Sequence, residues 1–305
     1  MKLMYQKIKF GIVFMSILSF FVVSCNNTVD SEQYVNKIGT VDLPNLSNDI
    51  NSKNSIEADR VDMNKVTLIK PVKADLPKNI NVTLPDFGKY TDVQEKKRAF
   101  FNFMRPIIQS ENQKVLIERG KVLGLLEKVN AGEKLTEDNI LYLKKLVKSY
   151  RVKGVEDVTS KKAFLKLLLH IDEVPVELGL AQCANESAWG TSYFAKKGNN
   201  MFGQWCFTGG CGIVPRGRAK GATHEVAVFD DVAHSVKVYI KNLNSHPAYQ
   251  LLRTTRYKMR AAKARPTGEA VAIGLQKYSG IGMEYVETLR SMMRVNKDYM
   301  GLGDI

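Results

Sequence analysis

Histidine and cysteine are scarce in this sequence, with four of each among 305 residues, and no two cysteines form a CxxC pair. Because structural zinc sites are usually built from such pairs, we expect no metal and no other cofactor. Long apolar runs are also missing, since no stretch reaches the ~20 apolar residues that a membrane-spanning helix needs. Apolar residues make up 44% of the chain and charged residues 25%. This composition is typical of a globular protein and excludes a disordered chain or a multispanning membrane protein.

Acidic residues are in the minority, with 31 Asp and Glu against 45 Lys and Arg, and the formal net charge is +14. Such a positive charge is typical of proteins that bind nucleic acid. The N-terminus argues against that partner, because a charge-free apolar run at 10–24 follows three lysines. A basic leader before an apolar run too short to span a membrane is typical of a signal peptide.

The end of this run has the pattern of a lipid attachment site. Val22-Val23-Ser24-Cys25 resembles a bacterial lipobox, in which a small residue precedes a cysteine that is lipidated and becomes the mature N-terminus. We therefore expect a signal peptide at 1–24 and a lipid anchor on Cys25, with the protein in the cell envelope and outside the cytoplasm. There, nucleic acid is not an expected partner. An uncleaved membrane anchor is the alternative, and it leaves the chain on the same side of the membrane.

The residue after the cysteine bears on which membrane is involved. Asn26 stands where an aspartate would resemble an inner-membrane retention signal. Its presence favours the outer membrane, with the protein facing the periplasm or the cell surface.

The rest of the sequence divides into a tether and a folded domain. Residues 25–88 are rich in Asn, Asp, Ser and Lys and hold no lasting apolar period, which predicts a flexible tether. From 89 to 305 the apolar spacing is mostly helical, so we predict one mainly helical domain. Its first predicted helices run from a Thr91-Asp92 cap to Ile108, over 111–129, from a Thr136 cap and from a Thr159 cap.

The most informative segment is a predicted helix between Pro175, which suits a first turn, and Gly190, which suits a C-terminal cap. Glu186 falls in its last turn, with Gln182 one turn back and Trp189 one turn ahead on the same side. The negative end of the helix dipole and apolar neighbours both disfavour an ionised carboxylate, so we expect a raised pKa. A carboxylic acid that stays protonated can give a proton to the leaving oxygen of a glycosidic bond. An exposed glutamate without a chemical role is the alternative.

A series of ordered blocks resembles the family 73 glycoside hydrolases, the endo-β-N-acetylglucosaminidases of bacterial cell walls. The catalytic helix and its following loop are matched by 186–190 (ESAWG) and 198–203 (GNNMFG). The chain further resembles the Bax branch of this family, through 203–206 (GQWC), 210–215 (GCGIVP), 242–249 (NLNSHPAY) and 274–279 (GLQKYS). The resemblance covers roughly residues 85–300.

The resemblance implies a mainly α, lysozyme-like α+β fold with a small β-hairpin lobe across a groove. The sequence permits this fold, because Gln204 to Val214 can form short strands around a Gly209-Gly210 turn. Residues 224–229 alternate as a strand, and Asp230 or Asp231 then caps a helix.

The resemblance also implies catalytic roles within a glucosaminidase-like catalytic domain at 89–305. Glu186 is the general acid, and Glu225 on the hairpin lobe is the candidate for a second carboxylate, acting as base or stabiliser. A solvated strand residue is the alternative for Glu225. Some relatives use the N-acetyl group of the substrate itself, for which groove tyrosines matter, and the matching candidates are Tyr278 and Tyr285. The alternative for this pair is two core or groove-wall tyrosines.

Three further residues are expected to bind sugar. Asn200, Phe202 and Trp205 would line the subsites, because aromatic faces pack on the apolar faces of pyranose rings. Ordinary core packing is the alternative for Trp205.

The remaining cysteines suggest a disulfide. Cys206 and Cys211 enclose four residues around a Gly-Gly turn, and in an oxidising compartment we expect them to pair. Cys183 would then be a buried free thiol. Two alternatives are a metal site formed by this pair with His224, and a nucleophilic Cys183 with a histidine base.

The basic excess is concentrated after the predicted strands. Eight Lys or Arg and no acidic residue lie between Val232 and Gly268: Lys237, Lys241, Arg253, Arg256, Lys258, Arg260, Lys263 and Arg265. We expect these charges to form either a surface that steers the protein to anionic cell-wall glycan or a solvated positive face without a specific partner.

The sequence thus predicts a lipid-anchored peptidoglycan hydrolase that cuts the glycan strand after N-acetylglucosamine. Its expected partners are peptidoglycan, or a related glycan that contains N-acetylglucosamine, and the membrane. A lytic transglycosylase and a non-catalytic glycan-binding lipoprotein are the alternatives.

Overall fold

The computed structural model describes residues 82–302. The predicted signal peptide, Cys25 and the tether as far as residue 81 lie outside the described residues. Residues 82–214 and 223–302 belong to one compact unit, and 215–222 belong to a separate unit. Within 215–222 two turns close, one from Arg218 N to Pro215 O and one from Ala222 N to Ala219 O.

The described chain is mainly helical, which confirms the predicted fold class. Its α-helices are α1 Val93–Asn130, α2 Glu137–Ser149, α3 Lys161–His170, α4 Val176–Glu186, α5 Tyr193–Gly198, α6 Val232–Ser245, α7 Gln250–Ala261, α8 Gly268–Val271, α9 Met283–Val295 and α10 Lys297–Met300. Short 3₁₀ helices cover Phe87–Lys89, Pro247–Tyr249 and Ala272–Leu275. In residues 82–302, no helix has both the length and the apolar character to cross a membrane.

The predicted first and second helices are a single helix, α1, so the predicted break near residue 110 is wrong. Polar residues at 110–112 interrupt the apolar pattern, yet Ser110, Glu111 and Asn112 are all buried. Asn112 explains why burial is tolerated, because its side chain donates to Val174 O at 2.7 Å and accepts from Val174 N at 2.9 Å. These bonds satisfy the amide inside the core and anchor the segment that leads into α4.

Side-chain caps set the starts of most helices. Asp92 caps α1 and Thr136 caps α2, both as predicted, and Asp231 caps α6. The cap of α3 is Ser160 rather than the predicted Thr159. Thr159 instead donates its hydroxyl to Asp157, which also accepts from the Thr159 N–H.

Two apolar clusters form the core, and α1 contributes to both. Its first half brings Phe100, Phe101 and Met104 to the larger cluster, which surrounds α4. Its second half brings Val122 and Leu126 to a smaller cluster with α2 and α3. The long helix therefore connects the region around α4 to the region of α2 and α3.

The β structure is a three-stranded antiparallel sheet formed by β1 Trp205–Cys206, β2 Gly212–Ile213 and β3 Glu225–Ala227. The strand order is β1-β3-β2, so the predicted hairpin between the first two strands is wrong. Both strands pair with β3 instead, with Trp205 opposite Val226 and Gly212 opposite Ala227. The Gly209-Gly210 segment therefore connects the two outer strands of the sheet.

Two of the eight basic residues expected on the surface are buried and a third is mostly buried, which corrects that expectation. Arg253 is 3% exposed and Arg256 is 0% exposed, and the Arg260 side chain is 10% exposed. Arg260 forms two hydrogen bonds to the Asp172 carboxylate, and Arg256 donates to the carbonyl oxygen of Glu173 at 2.7 Å. Burial alone would raise the pKa of Asp172, but its arginine neighbours outweigh burial and hold that pKa below its usual value. These charges stabilise the fold, and the expected positive face is smaller than eight residues.

The described chain begins with a segment that is packed rather than free. Phe87 is 1% exposed and belongs to the larger core cluster. Its ring meets Phe100 edge to face at 5.3 Å between ring centroids. The predicted boundary between tether and domain at residues 88 and 89 therefore falls just after a core residue.

Candidate active site

The catalytic candidate Glu186 is the last residue of α4, because the backbone leaves the helix immediately after it. Ser187 is the C-cap, and its hydroxyl donates to Cys183 O at 2.6 Å and accepts from Gly190 N at 2.8 Å. Ala188, Trp189 and Gly190 then adopt φ values of 50°, 58° and 74°. This tight left-handed turn ends α4 four residues before the predicted cap at Gly190.

The turn also redirects Trp189. Its ring packs edge to face on Phe100 and Phe101, with centroid distances of 5.6 and 5.2 Å. The helical spacing that predicted Trp189 beside Glu186 does not apply, because the helix has already ended. Trp189 instead fixes the turn to α1.

Glu186 is a partly buried residue, and its carboxyl oxygen Oε1 accepts two hydrogen bonds. The Tyr285 hydroxyl donates to Oε1 at 2.7 Å, and the Asn185 amide donates at 3.1 Å. Burial raises the pKa of Glu186, while these two hydrogen bonds act in the opposite direction. The net direction is the raised pKa expected from the sequence, and desolvation is its cause.

A chain of buried polar groups stands behind Glu186. Tyr285 accepts a 3.0 Å hydrogen bond from Gln182 Nε2, and Gln182 Oε1 accepts a 2.6 Å hydrogen bond from the Tyr239 hydroxyl. Gln182 and Tyr239 are both 0% exposed, and Tyr285 is 3% exposed. Since α4, α6 and α9 each supply one of these side chains, three helices jointly determine the surroundings of Glu186.

Aromatic rings hold these tyrosines in place. Tyr278 stacks on Tyr285 with an interplanar angle of 1° and a centroid distance of 5.6 Å, and Phe202 stacks on Tyr239 at 3.8 Å. The Tyr278 hydroxyl donates to Phe202 O at 2.8 Å. Burial raises the pKa of Tyr278, Tyr239 and Tyr285 well above the usual tyrosine value, so all three hydroxyls stay protonated.

Asn200 organises the loop between α5 and β1. Its amide donates to Gln204 O and to Ala227 O, and its oxygen accepts from the backbone N–H groups of Phe202 and Gln204. Asn200 is 2% exposed and Phe202 is 1% exposed. Their sugar-binding roles stay predictions, while the observed contacts shape the loop that passes Glu186.

Trp205 is the most exposed of the predicted sugar-binding residues, at 44%. It lies on β1, and one face of its ring stacks on His224 at 4.3 Å between centroids. The loop that precedes it brings Gly203 beside Glu186 Oε2. The exposed ring of Trp205 therefore lies two residues along the chain from Gly203, whose backbone faces the carboxyl group of Glu186.

Glu225 lies at the start of β3, where its carboxylate holds the loop between β1 and β2. One oxygen accepts from Gly210 N at 3.0 Å and the other from Gly212 N at 2.8 Å. Glu225 is 7% exposed, so it is not the solvated strand residue of the alternative interpretation. Its role as second catalytic carboxylate stays a prediction.

Cys206 and Cys211 form a disulfide across this loop. Their sulfurs and the Glu225 carboxylate lie within 4.8 Å of one another, but the sulfurs bond to each other and are not free thiolates. Cys183 is a buried free thiol, and burial raises its pKa well above the usual value, which disfavours a nucleophilic thiolate.

Two of the buried polar residues behind Glu186, Gln182 and Tyr239, had no function assigned from the sequence. Gln182 stands four residues before Glu186, a spacing that places both on one face of a helix and could have drawn attention to it. Tyr239 gave no such signal, because its position beside Gln182 depends on the packing of α4 and α6 on the same helix, α1.

Comparison with known proteins identifies the family. A model of the family described as Mannosyl-glycoprotein endo-beta-N-acetylglucosaminidase matches residues 162–298, a range that includes Glu186 and Tyr285. The chain is also 34% identical over 215 residues to Protein bax of Escherichia coli (strain K12), an alignment that covers 70% of this chain and 75% of the relative. No solved structure gives a significant match. The chain therefore belongs to the glucosaminidase family, as a relative of Protein bax.

Proposed function

We propose that this protein is a peptidoglycan hydrolase, an endo-β-N-acetylglucosaminidase that cleaves the glycan strand after N-acetylglucosamine. The observation that carries the proposal is Glu186, a desolvated carboxyl group at the end of α4 in a chain of the glucosaminidase family. A general acid must hold its proton until the leaving oxygen needs it, and a raised pKa serves this requirement.

In this mechanism Glu186 protonates the glycosidic oxygen, and a water completes hydrolysis. Its Oε1 atom is fixed by Tyr285 and Asn185, so the carboxyl group keeps one orientation as the sugar binds. The exposed ring of Trp205 provides an apolar face for a pyranose near the same loop. Of the two candidates for the second catalytic group, the geometry favours the N-acetyl group of the substrate, because both oxygens of the Glu225 carboxylate already accept hydrogen bonds from Gly210 N and Gly212 N.

We further propose that Cys25 carries lipid and holds the protein outside the cytoplasm, at the outer membrane. The support is the lipobox-like Val22-Val23-Ser24-Cys25 after a charge-free run. Metabolic labelling with a radioactive fatty acid tests this proposal, because the wild type should take up label and Cys25→Ser should not. Equal labelling of both proteins would exclude Cys25 as the attachment site.

The reaction is tested by incubating purified sacculi with the full-length protein and analysing the fragments by mass spectrometry. Reducing N-acetylglucosamine ends are the expected product. Ends of 1,6-anhydro-muramic acid would identify a lytic transglycosylase instead. Binding to sacculi without release of fragments would identify a glycan-binding lipoprotein without catalysis.

A further inference from the structure

The two oxygens of the Glu186 carboxyl group have different surroundings. Oε1 accepts from Tyr285 and Asn185, whereas no hydrogen bond reaches Oε2 within residues 82–302. Oε2 instead faces exposed Gly203, where an added Cβ would lie 3.3 Å from it. Oε2 is therefore the oxygen on the accessible side of the carboxyl group.

The direction of the hydrogen bonds behind Oε1 follows from the chemistry of the amide. Gln182 Nε2 can only donate, so the Tyr285 oxygen accepts from it at 3.0 Å. The single hydrogen of the Tyr285 hydroxyl then remains for Glu186 Oε1. At the far end, the Tyr239 hydroxyl donates to Gln182 Oε1 at 2.6 Å, which satisfies the amide oxygen and favours this orientation.

We infer that Gln182 is a positioning residue, whose bond to Tyr285 directs the Tyr285 hydrogen to Oε1 of Glu186 and thereby places the transferable proton on Oε2. The inference rests on the proposed glycosidase function. An oxygen that already accepts two hydrogen bonds is the poorer site for a proton, so the neutral acid carries its hydrogen on the other oxygen. We call the hydrogen bonds that run from Tyr239 through Gln182 and Tyr285 to Glu186 the relay. The relay thus determines which oxygen of Glu186 presents its hydrogen to the glycosidic oxygen.

Loss of Gln182 has a defined consequence in this scheme. With methionine in its place, the Tyr285 oxygen has no donor and can accept a hydrogen from Glu186 Oε1. The neutral acid gains a hydrogen bond, and its proton moves to the oxygen away from Gly203. The pKa of Glu186 should rise, and the chemical step should slow.

The side chains that face Glu186 do not interfere with a pH titration of its carboxyl group. The titratable side chains in its surroundings are Tyr285 on α9, Tyr278 just before α9, Tyr239 on α6 and Tyr249 in a 3₁₀ helix, and burial raises the pKa of each. No charged side chain of the described residues contributes to the pKa of Glu186. A change in that pKa near neutral pH therefore reports on its hydrogen bonds.

The test uses full-length protein labelled with ¹³C at the glutamate carboxyl carbon, and it compares wild type, Gln182→Met, Tyr285→Phe and the double variant. The Glu186 signal is identified by its loss in Glu186→Gln. We expect Gln182→Met to raise the pKa of Glu186 by about half to one pH unit, and Tyr285→Phe to raise it similarly. In the double variant, Gln182→Met should add no further rise, because it acts through the Tyr285 hydroxyl.

Two further variants complete the titration. Tyr239→Phe keeps the ring stacked on Phe202 and should cause a smaller rise, so it tests the relay if Gln182→Met folds poorly. Tyr249→Phe removes a buried hydroxyl outside the relay and should leave the pKa of Glu186 unchanged. An unchanged pKa in both Gln182→Met and Tyr239→Phe would overturn the inference, as would an equal rise from Gln182→Met with and without Tyr285.

Steady-state kinetics of sacculus hydrolysis provide a second test of the role of Gln182. Gln182→Met should lower kcat, leave KM nearly unchanged and move the alkaline limb of the pH profile upward. A lower kcat without movement of that limb would indicate a merely structural role. If the wild type releases no fragments, the proposed function fails, while the titration still tests the relay.

Discussion

Gly203 faces Oε2 of Glu186 so closely that an added Cβ would lie 3.3 Å from the oxygen. Gly203 also has a φ of +62°, in the region that disfavours residues with a side chain. The loop backbone therefore approaches the accessible oxygen of the candidate acid, and only glycine allows this approach without strain.

A methyl group at position 203 should disturb this close approach. Gly203→Ala should cost about 1–2 kcal/mol of unfolding free energy, since alanine disfavours a positive φ. It should also lower sacculus hydrolysis by roughly tenfold to a hundredfold, because the methyl group displaces the loop or the carboxyl group. Urea unfolding and fragment release measure the two effects. Gly209→Ala is the matched control, since no atom lies within 4 Å of its added Cβ, and full activity in Gly203→Ala would contradict the prediction.

The raised pKa of Glu186 makes a prediction about stability and pH. The folded state holds the proton more tightly than the unfolded state, so wild-type stability falls as pH rises from about 4.3 through the folded-state pKa. Glu186→Gln removes this ionisation and should be more stable than the wild type at pH 8, by about 1 kcal/mol.

Thermal unfolding at several pH values measures this difference. The gap between Glu186→Gln and the wild type should close as the pH falls toward 4. Glu284→Gln, at an exposed position on α9, should show no comparable gap. A constant gap at all pH values would mean that the carboxyl group of Glu186 is not desolvated in solution.

Glu225 is expected to hold its loop rather than to act as general base. In Glu225→Gln the amide group cannot accept from both Gly210 N and Gly212 N, so one buried donor loses its partner. We expect a loss of about 1–3 kcal/mol in stability. Steady-state kinetics should show a decrease in kcat of less than about tenfold, whereas loss of a general base costs roughly 10²–10⁴-fold. A decrease in the larger range would restore the catalytic role.

The ion pairs of Asp172 with Arg256 and Arg260 are expected to stabilise the fold strongly. Asp172→Asn leaves Arg256 and Arg260 buried without their carboxylate, which should cost about 3–5 kcal/mol in urea unfolding. Glu173→Gln is the neighbouring control, and it should cost about 1 kcal/mol or less because its side chain is 30% exposed. Because the pKa of Asp172 is lowered in the folded state, its contribution is present above about pH 4 and is lost as the pH falls further. Equal losses in both variants would contradict this account.

Local sequence signals predicted elements whose causes are local. Asp92 and Thr136 cap helices because each side chain bonds to a backbone N–H three residues ahead, and the sequence alone specifies that geometry. The position of Glu186 near a helix end was also predictable from local sequence, because a glycine-containing turn follows the helix.

Features that depend on distant packing were not predictable. Asn112 and Arg256 have polar side chains that usually lie at the surface, yet each is buried by bonding to backbone near 172–174. The pairing of β1 and β2 with β3 likewise involves a strand that follows more than ten residues later. Tyr239 contributes to the site only because α4 and α6 both pack on α1, which brings its hydroxyl to Gln182.

The role of Glu186 as general acid is tested most directly by the release of soluble fragments from purified sacculi by full-length wild type, Glu186→Gln and Glu284→Gln. Glu186→Gln should still bind sacculi but lose roughly 10²–10⁴-fold in rate, because the general acid is missing. Glu284→Gln, with the same chemical change at an exposed site, should release fragments at the wild-type rate. Equal release by Glu186→Gln and the wild type would show that Glu186 is not the general acid.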